Sequence, residues 1–234
     1  VKVSQLAFVQ GMDDTRATMR RWNDAPLAAL RPWALSALAI AAALLAAVFV
    51  VAHATTPDLT GYFLPGLNTP ATYGSVGHVL FRNSLVLALH SLACVAGFIA
   101  GSSIPLQAEH HTGWWRTVHE KAGPAAIAFV GAATAFSLCT QAYVLGSGAA
   151  TVANQLHVGL GVLMLTLLPH ALPELFALFL PLAAWLLASR RGAWNELLAA
   201  TAATTAIAVP LLVLAATLEV FVWPVLLRLV SPVV

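Results

Sequence analysis

The sequence predicts an all-α fold, a polytopic transmembrane helical bundle of about five spans with the N-terminus inside. Three observations carry this. Hydrophobic residues make up 60% of the 234 and charged residues only 9%, against roughly 25% charged in a soluble domain, so there is too little charge to coat a water-facing surface. Mean hydropathy is +0.85. The apolar residues run continuously as Ala, Leu and Val, without the alternation of a barrel strand, and in lipid only helices and closed barrels satisfy every backbone group.

Residues 1–32 read as a cytoplasmic N-terminal segment ahead of a transmembrane domain at 33–234. The segment mixes Lys2, Arg16, Arg20, Arg21 and Arg31 with Asp13, Asp14 and Asp24, and scatters Leu6, Phe8, Met12, Met19 and Trp22 among them. Two readings fit, an in-plane amphipathic helix and a charged tail. The first span, about 34–53, is read as retained and not as a cleaved signal, because no small-residue cleavage site follows it. A spacer at 54–78 is rich in Gly, Pro and Thr and offers Tyr62, Phe63 and Tyr73 as interface anchors. The second span, about 80–102, opens on Arg82 and Asn83. A polar loop at 105–121 carries His110, His111, His119 and two Trp. The third span covers about 122–146, a fourth apolar stretch runs 157–189 up to Arg190-Arg191, and the last span runs from near Glu196 to about 218.

Orientation follows from Lys and Arg in the connecting segments. With the N-terminus inside, Lys2, Arg16, Arg20, Arg21, Arg31, Arg116, Lys121, Arg190 and Arg191 are inner, and only Arg82 and Arg228 are outer. The fourth stretch is too long for one straight crossing: as a helix it would reach about 50 Å, against a hydrocarbon core of about 30 Å. Pro169 and Pro173 lie in its middle. Each removes a helical donor, which predicts a kink or break near 169–174.

Ionisable groups inside spans are costly and mark functional candidates. These are His90, His170, Glu174 and Glu219. His170 and Glu174 are four apart and share a helix face. Under the expected topology they converge with Glu219 and Asn83 toward the outer leaflet, as a polar intramembrane motif that could orient an imidazole, bind a cation or partner, or pass a proton. The plainer alternatives are a cap around a proline kink for His170 and Glu174, a helix-end carboxylate for Glu219, and a core histidine satisfied by a neighbouring helix for His90. No His-Glu-x-x-His, Gly-x-Ser-x-Gly or phosphate-binding glycine loop is present. Ser147-Gly148 near Asn154 and His157 suggests an intramembrane serine protease only loosely. Cys94 and Cys139 read as small core residues. No cofactor is expected, a metal role is left open, and no basic patch suggests nucleic acid. Gly97-x-x-x-Gly101 permits close helix contact and is the ground for expecting a homodimer.

Three segments together resemble the stage II sporulation protein M family of integral membrane proteins. They are Leu80-Phe81-Arg82-Asn83, Leu167-Leu168-Pro169-His170 with Glu174, and Ala215-Ala216-Thr217-Leu218-Glu219-Val220-Phe221 with Pro224. The resemblance covers roughly 80–225. Ala171 stands where the family usually carries Gly, and a paired Asn is reduced to Asn83-Ser84. The resemblance implies a multi-pass fold and a polar outer-leaflet motif. The sporulation member is a scaffold for cell-wall hydrolases, which implies a membrane scaffold that assembles partner membrane or envelope proteins. The alternative is a permease or transporter subunit with a polar pathway at His170 and Glu174; an enzyme ranks last. The expected location is the cell membrane, a bacterial inner membrane, with the lipid bilayer itself as a partner.

Overall fold

A computed structural model of the chain describes residues 7–58, 64–103 and 114–233. It is all-α. The helices are α1 Ala7–Asp24, α2 Pro26–Ala54, α3 Tyr73–Phe98, α4 Trp114–Gln155, α5 Leu160–Arg191, α6 Leu197–Thr217 and α7 Trp223–Val230. A π-helical turn, Ile99–Ser103, ends α3, and a second, Leu218–Val222, joins α6 to α7. Five helical stretches are long and apolar enough to cross a membrane: Pro26–Ala54, Tyr73–Gly101, Ile127–Gln155, Leu160–Arg191 and Trp194–Val230. The chain is thus a polytopic helical membrane protein.

The helices extend beyond the apolar runs because a backbone group at the interface stays paired until a breaker intervenes. α2 starts at Pro26, whose missing N–H falls where no helical acceptor exists, and continues through Pro32. Part of the polar stretch read as a loop at 105–121 is helical, since α4 begins at Trp114; His110 and His111 lie outside the described residues. Two helices end in the same way. His157 (φ 51°) and Gly192 (φ 66°) adopt the left-handed conformation. The next amide then reaches back five residues: Val158 N to Ala153 O at 3.0 Å, and Ala193 N to Ala188 O at 3.0 Å. These are Schellman caps that satisfy otherwise orphaned carbonyls.

The expected break at 169–174 is absent: α5 is one continuous helix from Leu160 to Arg191. Pro169 and Pro173 deprive the carbonyls of Leu165 and Pro169 of their donors, but these positions are four apart and fall on one side of the helix. A membrane helix tolerates such prolines where its neighbours cover the freed groups.

The chain forms two compact units. One comprises Val1–Ala37, Leu87–Thr134 and Leu178–Ile207; the other comprises Leu38–Val86, Ala135–Ala177 and Ala208–Val234. In the first unit α5 is enclosed, with every residue from Leu178 to Trp185 buried. α3 lies beside it and is fastened by two side chains: the His90 Nδ1 is 2.9 Å from Leu178 O, and the Cys94 thiol donates to Pro181 O at 3.2 Å. Both residues and both acceptors advance together along the chain, so α3 and α5 run parallel. Gly97 and Gly101 form a notch filled from within the chain. A Cβ on Gly97 would lie 2.9 Å from Trp185 Nε1, and one on Gly101 would lie 2.2 Å from Trp194 Cγ. The notch therefore gives no ground for a dimer. α1 is docked on this unit, with Thr18 buried, Gly11 against Phe98 and Leu198, Trp22 edge-on to Trp33 at 4.8 Å, and Arg21 paired with Glu196 at 3.0 Å. A free charged tail does not describe residues 7–24.

The second unit packs two apolar clusters. Ala52, Ala149, Ala153, Leu156, Leu163 and Leu227 form one. Val76, Ala216 and Val220, joined by Val79 and Leu80, form the other and bring the start of α3 against the π turn at Leu218–Val222. The small residues on these faces allow backbones to approach closely.

Candidate functional site

The candidate site lies in the second unit. On α3, Val76, Val79 or Leu80, and Asn83 recur at helical spacing, so the face that packs against Ala216 and Val220 carries Asn83 one turn further on. Glu219 stands in the π turn between them. Glu174 projects from α5. The structure brings Asn83, Glu174 and Glu219 together: the Glu174 carboxyl has Glu219, Asn83 and Arg82 as its polar neighbours, and Glu219 also feels Arg82. Both carboxyls and Asn83 are half-buried, whereas Arg82 is exposed.

The cluster is close but not closed. The Asn83 amide lies against the Glu174 carboxyl, yet its buried Nδ2 completes no hydrogen bond of good geometry. Among the described residues no ion pair joins Arg82 to either carboxylate. Two carboxyls at one intramembrane site repel if both are charged, and a single guanidinium at its exposed edge offsets only part of this. Chemically, such a cluster can hold a proton or receive a donor group.

His170, one turn before Glu174 on α5, packs against the last span. It is 5% exposed, its ring packs at 5.2 Å from the Trp223 ring, and its Nδ1 is buried without a partner. Trp223 in turn donates its indole N–H to Thr166 Oγ1 at 3.2 Å. His170 thus belongs to an aromatic contact and makes no ion pair with Glu174. His90 sits in the first unit as a fully buried core histidine bonded to the α5 backbone, with Nε2 unpartnered.

Other candidates resolve into local structure. The Ser147 hydroxyl donates to Tyr143 O at 2.8 Å, a back-bond to its own helix and not an arrangement for a nucleophile. His157 is the cap of α4. Cys94 is buried and Cys139 exposed, both as free thiols. Among the described residues no group of three or more His, Cys, Asp and Glu could hold a metal ion. An open cleft of about 550 Å³ in the second unit is lined by His53, Thr55, Asn154, His157 and neighbours; none of the four motif residues lines it. Sequence reasoning missed Arg82 as a member of the cluster, although its position beside Asn83 was a signal, and it missed the π turn that presents Glu219. No family model, curated protein or solved structure matches the chain.

Proposed function

We propose that this protein is an integral membrane scaffold that assembles partner membrane or envelope proteins in a bacterial inner membrane, in the manner that its resemblance to the stage II sporulation protein M family implies. The observation that supports this reading is the packing of His170. It is enclosed against Trp223 and apart from the open cleft, as expected of a side chain that fixes a surface and not of one that lines a pathway. The cluster of Asn83, Glu174 and Glu219 then serves as a polar anchor for a partner helix, because a polar group in hydrocarbon gains most from a protein partner.

A second reading, a transporter subunit, draws on the two neighbouring carboxyls Glu174 and Glu219, since carboxyl pairs inside spans form proton relays. Flux in proteoliposomes separates the two. The scaffold reading expects no proton or alkali-cation flux above protein-free vesicles, and it expects His170→Ala to fold but to leave the native complex seen by blue-native electrophoresis. A flux that Glu174→Gln abolishes would replace the scaffold by the transporter.

A further inference from the structure

We infer that the loop from Leu64 to Thr69 is a strap that fixes the π register of the last span and thereby the direction of Glu219. Gly66 and Arg228 are its positioning residues.

The last span needs an outside support at this point. Pro224 has no N–H, so the carbonyl of Val220 lacks its α-helical donor. The helix meets this defect with a π turn, in which Trp223 N–H reaches Leu218 O, five residues back. A π turn carries one residue more than an α turn. One residue corresponds to a rotation of about 100°. The register of this turn therefore decides which of residues 219, 220 and 221 points at Val76 and which at Asn83.

The strap covers the defect. Gly66 has φ +83° and lies directly on it: a Cβ there would stand 3.0 Å from Val220 O and 2.8 Å from Pro224 Cγ. Glycine is required twice, by its left-handed backbone and by this close approach. One turn beyond Pro224, the Arg228 guanidinium donates to the Gly66 carbonyl. The loop is stiffened internally by Gly66 N to Thr69 O at 2.7 Å and by Leu64 N to Asn68 Oδ1 at 2.7 Å. It leads into α3, where the Tyr73 ring meets Phe221 at 5.8 Å. Strap and α3 entry together touch Val220, Phe221, Pro224 and Arg228, on both sides of the extra residue. Lifting the strap uncovers the Val220 carbonyl, lets the turn relax toward α register, and swings Glu219 away from Asn83 and Glu174.

Register-sensitive cross-linking tests this. Cys139 is replaced by Ala; Cys94 is buried and stays. Val76→Cys is then paired with Glu219→Cys, Val220→Cys or Phe221→Cys, and each pair is oxidised with copper–phenanthroline in native membranes. With the strap intact, the 76–220 pair should dominate, since Val76 and Val220 share one buried cluster. Adding Arg228→Ala should shift the yield several-fold from position 220 to 219 or 221, and Arg228→Lys should restore the original preference. If Arg228→Ala does not accumulate as folded protein, Gly66→Ala tests the same contact and should give the same shift. An unchanged preference in either folded variant, or an equal fall of all three yields, would overturn the inference, because a loop that merely adds stability leaves the register where it is.

Discussion

Trp223 donates its indole N–H to the hydroxyl of Thr166 at 3.2 Å, while that hydroxyl donates to Leu163 O at 2.8 Å. The chain of two bonds ties the last span to α5 beside His170. Trp223→Phe keeps the ring against His170 and removes one bond between neutral groups. It should cost about 1 kcal/mol. Trp223→Ala also removes the half-buried ring and should cost more, about 2–3 kcal/mol. Reversible unfolding in mixed micelles measures both. Equal losses would mean that the ring contact contributes nothing beyond the bond.

The cap of α4 offers a gain. His157 is the one described residue other than glycine with positive φ, at 51°, and its side chain is exposed. A left-handed conformation costs a residue with a Cβ about 1–2 kcal/mol, part of which glycine returns through its larger unfolded-state entropy. His157→Gly should therefore raise stability by about 0.5–1 kcal/mol and lift the melting temperature. A lower melting temperature would show that the imidazole makes a stabilising contact in the cleft.

Three glycines of α3 and its π turn should rank by the space around them. Gly101→Ala drives a Cβ to 2.2 Å from the Trp194 ring, and Gly97→Ala meets Leu197 and Trp185 at 2.8 and 2.9 Å, whereas Gly77→Ala meets nothing within 4 Å. Overpacking costs about 1–3 kcal/mol, and Ala is favoured over Gly in a helix by about 1 kcal/mol. The expected order of stability is Gly77→Ala at or above the parent, then Gly97→Ala, then Gly101→Ala. Thermal unfolding of the three variants checks it, and a Gly101→Ala protein as stable as the parent contradicts the filled notch.

Orientation is tested by labelling one exposed position before α5, at the end of α4, and one at the end of α5. Asn154→Cys and Arg191→Cys both fall on exposed residues. The excess of inner Lys and Arg predicts that an impermeant maleimide reaches Asn154→Cys in intact cells and Arg191→Cys only after permeabilisation. The reverse pattern inverts the topology and moves the cluster of Asn83, Glu174 and Glu219 to the inner leaflet.

The spans were legible because composition alone decides what lipid will accept: the run Ala34–Ala54 has no other stable conformation there. The break at 169–174 was misread because a proline pattern reports the donors a helix lacks, not whether neighbours cover the freed carbonyls. The close approach of Asn83, Glu174 and Glu219 was readable in outline, since polar residues in spans turn inward and topology sets their depth. The contact of His170 with the Trp223 ring was not, because Trp223 lies 53 residues further along the chain. The π turn at Leu218–Val222 left one trace in the sequence, Pro224 late in an apolar run. The strap that meets it comes from the Gly-rich spacer, whose left-handed Gly66 no local pattern specifies.

The parallel pairing of α3 with α5 sets a timetable for biogenesis. His90 and its acceptor Leu178 are 88 residues apart, and Cys94 and Pro181 are 87. At about 5–20 residues per second, the ribosome needs roughly 4–18 s to deliver the second partner after the first. During that interval α3 stands in the translocon or the bilayer with an imidazole that has no acceptor, and with a glycine notch whose tryptophans are still to be synthesised. Nascent α3 is therefore an intermediate that needs shelter until α5 arrives, and a chain stopped after Gln155 would present quality-control proteases with a half-packed helix whose imidazole lacks its acceptor.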